Sequence, residues 1–311
     1  MSTLFYSHPD CRLHDMGAGH PECPQRLDAI SDHLLAVGLD VALQHEDAPL
    51  ATLEQVQRAH SVAYVLELKD LLEQVQESGE PRALDPDTVA SPGTWQAALR
   101  AAGAAVAATD EVIAGRASNA FCAVRPPGHH ATRDETMGFC FFNNVAIAAR
   151  HALDAHGLAR VAIIDFDVHH GNGTEDIVAG DERILMCSFF QHPLYPYSGA
   201  VPKGTNMLNV PVAPYTRGPE LRQIIADMWW PRLDEFRPQM VFISAGFDAH
   251  REDDLGQLGL VEADYEWITR GLVTIANRYA EGRIVSCLEG GYALSALARS
   301  VAAHLRVLTD M

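Results

Sequence analysis

Six short apolar runs, at residues 4–6, 120–124, 160–166, 184–189, 240–244 and 283–288, alternate with long amphipathic stretches, and this constrains the fold more than any other sequence feature. Runs this short, with no polar alternation, are those of strands buried on both faces of a parallel sheet. The stretches at 94–114, 144–156, 219–236 and 262–280 carry helical signals, with Gly115, Gly157 and Gly282 just past three of the ends and Pro231 placed to kink the 219–236 segment. Parallel neighbours need right-handed crossovers, so the pattern predicts an α/β protein with one doubly wound parallel sheet flanked by helices. Residues 1–90 read as mainly helical, with segments near 24–37 and 61–77 packed on the same sheet. No repeat, low-complexity tract or linker interrupts the pattern, so residues 1–311 are expected to form a single domain.

Composition narrows the setting. With 311 residues and 48% hydrophobic content the chain can build a continuous core. Its 23 basic and 41 acidic residues give a net charge of −18, a field that repels nucleic acid and mildly attracts cationic substrates. The six cysteines, at 11, 23, 122, 140, 187 and 287, form no CxxC pair and read as reduced thiols. The first residues lack a basic region followed by a long apolar run, and no later stretch reaches the roughly 18 apolar residues of a membrane span. The expectation is a soluble cytoplasmic protein that binds neither nucleic acid nor membrane.

Polar chemistry gathers where four of the apolar runs end, the place where open parallel sheets bind ligands. Residues 120–124 run into Arg125-Pro126-Pro127-Gly128-His129-His130, and 161–166 into Asp165, Asp167 and His169, which a strand's period of two sends to one side. Residues 240–244 lead to Asp248 and His250, and 284–288 to Glu289-Gly290-Gly291-Tyr292. Burying carboxylates and imidazole together without a cation is costly, so a metal is expected. Asp167, His169 and Asp248 make a three-ligand set of the catalytic zinc type, with oxygen enough to suit iron(II) as well. Such a metal acidifies water and polarises a carbonyl, which points to amide or ester hydrolysis. One of His129 and His130 can then take the proton from metal-bound water, the same or the other histidine can protonate the leaving amine, and Tyr292 can donate to an oxyanion. Asp165 can orient an imidazole or help hold a monovalent cation, and His170 is a structural neighbour of His169.

In this order, the turn at 125–130, Gly138-Phe139-Cys140-Phe141-Phe142-Asn143, Asp165 to Gly173, Gly246-Phe247-Asp248 and Glu289-Gly290-Gly291-Tyr292 resemble the zinc-dependent histone deacetylase family, of the arginase/deacetylase fold, over nearly the whole chain. Residues 20–27 resemble that family's first active-site loop. The resemblance implies an eight-stranded-type parallel sheet, Asp167, His169 and Asp248 as zinc ligands, His129 and His130 as the acid/base pair, and Tyr292 as the carbonyl-polarising residue. Asn172 stands where class I members carry an aspartate behind the second histidine, and with the Pro-Pro-Gly turn this places the chain nearer class II. By the same resemblance Gly138, Phe139 and Tyr195 belong to the acyl-lysine channel, with Phe139 and Tyr195 as its aromatic walls. Leu255 replaces the glutamate of polyamine deacetylases, and Asp87 matches a rim residue that holds the substrate backbone. Ser188 and Phe189, with Asp165, Asp167 and His169, match a potassium site.

The expectation is therefore a class II-like deacetylase of acylated lysine side chains, in peptides or proteins. An acetylpolyamine deacetylase is the nearest alternative, favoured by charge and opposed by Leu255. A di-manganese ureohydrolase needs more bridging carboxylates than His250 leaves in place, and a non-catalytic acyl-lysine-binding protein has no use for both histidines and Tyr292.

Overall fold

The computed structural model describes residues 2–311. Its first part contains β1 (Thr3–Ser7), α1 (Gln25–Ala36), β2 (Leu43–Asp47), α2 (Leu53–Val56), α3 (Val62–Ser78), β3 (Arg82–Ala83) and β4 (Val89–Ala90). There follow α4 (Thr94–Ile113), β5 (Asn119–Cys122), α5 (Asn144–Asp154), β6 (Val161–Asp165), α6 (Asn172–Val178), β7 (Ile184–Gln191) and β8 (Met207–Val212). The last elements are α7 (Gly218–Phe236), β9 (Val241–Ala245), α8 (Glu262–Tyr279), β10 (Ile284–Leu288) and α9 (Leu294–Leu308).

Eight strands form one sheet in the order β2-β1-β5-β10-β9-β6-β7-β8, and each neighbouring pair is parallel. The six apolar runs are its six inner strands. The two edges, β2 and β8, lack such a run because an edge strand is not enclosed on all sides: β2 reads Leu-Gln-His-Glu-Asp and buries only Leu43, and β8 carries Asn209 and an exposed Pro211. Besides the expected strand β1, residues 1–90 hold β2 and the antiparallel β3–β4 pair among their helices, and the expectation of a mainly helical segment is corrected by these. Helices cover the sheet in two groups. α4 and α5 pack on each other and against β5, β10, β6 and β9, whereas α9 packs on α1 and α8, and α7 on α8. α7 runs on past Pro231 to Phe236.

The strand that carries the first acidic residue stops sooner than its period suggests. β6 ends at Asp165, residues 166–170 bend away, and α6 begins at Asn172. The cause is local. Asp165 accepts a hydrogen bond from the Asp167 amide at 3.1 Å and Asp167 from the His169 amide at 2.9 Å, so side chains occupy N–H groups that a ladder would use. β5 likewise stops at Cys122, two residues before the expected end at Val124.

A buried ionic cluster ties the N-terminal segment to this end of the sheet. Glu22 receives Arg125 through Nε and, at 2.6 Å, Nη2, and Arg26 through Nη1 at 3.0 Å; Arg125 also donates to the carbonyls of Cys11 and His14, each at 2.9 Å. Burial opposes charge on Glu22, but Arg125 and then Arg26 outweigh it and hold the carboxyl down at about 2, against 4.5 ordinarily. A folded-state value below the unfolded one adds stability that is complete above the unfolded value and is lost as pH falls through the folded value. Thermal melts should therefore lose stability progressively from pH 4.5 toward 2, and Glu22→Gln should lower the neutral-pH melting point while flattening that acid limb. An acid limb unchanged by the substitution would show that other carboxylates govern it.

Candidate metal centre and active site

The four strands whose ends carry the chemistry, β5, β10, β9 and β6, are consecutive in the sheet. At about 4.8 Å per strand their carboxyl ends span roughly 15 Å, within reach of one site. There His169 Nδ1 lies 3.0 Å from Asp167 Oδ1 and 3.1 Å from Asp248 Oδ2, and one ligand atom from each residue lies within 4.8 Å of the others. The backbone fixes both carboxylates: Gly290 N donates to Asp167 Oδ2 and Val168 N to Asp248 Oδ1, each at 2.9 Å. A Cβ at Gly246 would stand 2.1 Å from Asp167 Oδ2, and one at Gly290 2.1 Å from Asp248 Oδ2, so only glycine lets the acids converge.

Two buried acids at this spacing repel each other. Burial and then Asp167 push the Asp248 carboxyl up to about 7, whereas His129 and His169 hold Asp167 well below the usual carboxylate range despite burial. Burial disfavours charge on His169 too, but its hydrogen bonds to Asp167 and Asp248 lift it to about 10. This is the electrostatics of a site short of positive charge. Two carboxylates and an imidazole nitrogen are a donor set that fits zinc or iron(II).

Behind the cluster stand the paired histidines, their ring centroids 4.0 Å apart. Glu289 fixes their turn by accepting from the amides of Gly128 at 2.7 Å and His129 at 3.1 Å, and its other oxygen from Ser244 Oγ at 3.0 Å. His129 Nδ1 is 3.0 Å from Asp165 Oδ2, and His130 Nδ1 is 2.7 Å from Asn172 Oδ1. An amide oxygen only accepts, so His130 Nδ1 carries the proton and, in the neutral ring, Nε2 keeps its lone pair. The environments drive the pair apart. Burial opposes charge on both, but Asp167 and Asp165 hold His129 well above the usual histidine range, while His129 and His169 add to burial and hold His130 well below it.

A pocket of about 230 Å³ opens onto this centre, lined by Asp87, His130, Gly138, Phe139, His169, Leu194, Tyr195, Tyr197, Leu255 and Tyr292. Phe139 adopts φ +70°, a left-handed conformation costly for an aromatic residue, and its amide is held by Thr88 Oγ1 at 3.0 Å. Its ring meets that of Tyr292 edge-on at 5.9 Å, and Tyr195 faces His130 at 5.2 Å. Tyr292 is clamped: its amide and that of Ala293 donate to Asp253 Oδ2 at 2.6 and 3.0 Å, and the Arg26 guanidinium lies 5.1 Å from its ring centroid. Arg26 in turn holds the Gly291 carbonyl at 2.7 Å. Burial, then the charges of Asp248 and Asp167, keep the phenol protonated far above its usual range, so it is a donor.

Of the residues singled out from sequence, Asp167, His169 and Asp248 come together, and His130, Tyr292, Gly138, Phe139, Tyr195, Leu255 and Asp87 line the pocket. His129 stands behind His130, off the lining. Burial and Asp85 push the Asp87 carboxyl up to about 6. Ser188 pairs in register with Asp165, and its buried hydroxyl finds no partner among the described residues. His170 turns away to Glu175 at 2.8 Å. The sequence assigns no role to Leu194, Tyr197 and Asp253, which lie in loops without periodic signal, and it places Arg26 in the loop of residues 20–27 without giving it a partner. Glu289 carried a usable signal, a carboxylate directly after a buried strand.

Comparison with known proteins gives three concordant results. Residues 20–308 match the family model described as Histone deacetylase domain. The chain is 38% identical over 282 residues to the histone deacetylase-like amidohydrolase of Pseudomonas aeruginosa, covering 88% of this chain and 73% of that one. It is 36% identical over 305 residues to a probable deacetylase of Archaeoglobus fulgidus, covering 94% and 82%. Among solved structures, the crystal structure of the HDA15 HD domain superposes with a TM-score of 0.92 at 32% identity, covering 100% of this chain and 90% of that chain, and the architecture is the arginase/deacetylase fold.

Proposed function

The chain belongs to the histone deacetylase family and is a deacetylase hydrolase, and from that premise we propose that it removes acetyl or other acyl groups from lysine side chains, using zinc held by Asp167, His169 and Asp248. The pocket carries this reading. Phe139 and Tyr195 offer aromatic faces to an extended alkyl chain, Leu255 adds an apolar wall, and His130, His169 and Tyr292 stand at the same lining. Residues 1–311 act as one catalytic domain, a reading supported by a sheet that takes strands from Thr3 to Leu288.

When bound, the metal supplies Lewis acidity, making water nucleophilic at neutral pH and drawing charge from the amide carbonyl. The protein's own groups divide the remaining work. His130 lines the pocket and presents Nε2, so it takes the proton from the attacking water and returns it to the leaving amine, which departs poorly unprotonated. His129, held by Asp165, contributes fixed positive charge behind it. Tyr292 donates its hydroxyl to the oxygen on which negative charge develops. A potassium ion near Asp165, Asp167, His169, Ser188 and Phe189 is supported by the unsatisfied Ser188 hydroxyl.

Among the described residues no helix is long and apolar enough to cross a membrane. Six free cysteines support a reducing compartment such as the cytoplasm, and the charge of −18 supports a substrate other than nucleic acid.

Kinetics on acetyl-lysine peptides and on acetylspermidine test the substrate class. The peptides should have the higher kcat/KM, and Leu255→Glu should shift the ratio toward acetylspermidine by about tenfold or more, because a carboxylate can compensate a buried ammonium and leucine cannot. An unmodified protein that favours acetylspermidine over every acyl-lysine peptide by more than about tenfold, roughly 1.4 kcal/mol, would make it a polyamine deacetylase.

A further inference from the structure

We propose that the protein has a second metal site, for a borderline divalent ion of the zinc, cobalt or nickel kind, formed by Asp110, His151 and His156 away from the pocket. These three also bring one ligand atom each within 4.8 Å of the others. Asp110 Oδ1 lies 2.7 Å from His151 Nε2 and 2.6 Å from His156 Nε2, and the two rings meet edge-on at 5.2 Å. Asp110 is in the last turn of α4, His151 in the last turn of α5, and His156 two residues beyond α5's end. Those helices lead into the starting ends of β5 and β6, whereas the catalytic residues follow the finishing ends, a strand length of roughly 15 Å away.

Three features favour a cation there. Two helix carboxyl ends converge, and both carry partial negative charge. The His151 ring is buried and its Nδ1 has no partner among the described residues, so Nε2, which meets Asp110 Oδ1 beside His156 Nε2, is the nitrogen through which it interacts. The side chains of Asp110 and His156 are 41% and 28% exposed, which lets an ion enter and water complete its shell. Two imidazoles and one carboxylate select zinc-like ions over magnesium or calcium, which prefer all-oxygen shells. An ion held by both helices would staple α4 to α5.

Zinc titrated into chelator-stripped protein, with elemental analysis after desalting, tests the site. The unmodified chain should hold two ions. His156→Ala and Asp110→Asn, both at partly exposed positions, should hold one, with deacetylase kcat/KM within about twofold of the original. His169→Ala should keep the helix-end ion, and His169→Ala combined with His156→Ala should hold none and lose the rise in melting temperature that zinc gives His169→Ala. Zinc content and melting temperature that do not respond to His156→Ala, in either background, would overturn the proposal. A His169→Ala protein that still holds two ions would count against the catalytic centre and leave the helix-end site standing.

Discussion

His169→Ala should fold, lose the ion of the catalytic centre and hydrolyse acetyl-lysine at least about 10³-fold more slowly, since a Lewis acid at a reacting carbonyl contributes several kcal/mol and each 1.36 kcal/mol is a factor of ten. His169 is a cleaner choice than Asp167. The Asp167 carboxylate also accepts from the amides of His169 and Gly290, so Asp167→Ala leaves buried donors unpaired and confounds metal loss with misfolding. Among the described residues the His169 ring reaches only Asp167 and Asp248 by hydrogen bonds, and its side chain is 11% exposed. Metal content, turnover and melting temperature should be measured on the same preparation. Full activity after exhaustive chelation, or a variant as active as the parent, would remove the metal from the mechanism. Two manganese ions lost together from the centre would make it dinuclear.

Tyr292→Phe separates a different contribution. The ring keeps its edge contact with Phe139 and its place beneath Arg26, and the backbone keeps Asp253, so only the donor disappears. A donor that matters once charge reaches the oxygen lowers kcat and leaves substrate binding nearly intact. The expected fall in kcat is roughly 10²- to 10³-fold, with metal content unchanged. A fall below about threefold would assign Tyr292 to packing and the oxyanion to other groups.

The sequence discloses this architecture where burial and chemistry coincide. An inner strand is mostly apolar, so β1, β5, β6, β7, β9 and β10 show as runs; β2 and β8, enclosed on one side only, do not. The ligand and acid/base candidates are legible because polar residues directly after apolar runs are rare and specific. Asp253 and Arg26 act through backbone amides and carbonyls of residues far away in sequence, Tyr292 and Gly291, and no local pattern announces a partner 39 or 265 positions distant. The end of β6 is hard to read from sequence for a related reason. Asp165 and Asp167 continue the alternation of a strand while their own carboxylates cap it.

Strand order also bears on how the protein is made. β5 and β6 are successive among the sheet's strands in the chain but are separated in the sheet by two strands, β10 and β9, the last of its strands to be synthesised. Until residues 284–288 are available, β2-β1-β5 and β9-β6-β7-β8 share no ladder, and each presents an unpaired inner edge. Contacts this distant in sequence form slowly. The sheet therefore meets its most aggregation-prone stage once β9 is made, just before β10 joins the halves and Tyr292 arrives with it, so intermediates truncated before β10 should be the species that chaperones hold.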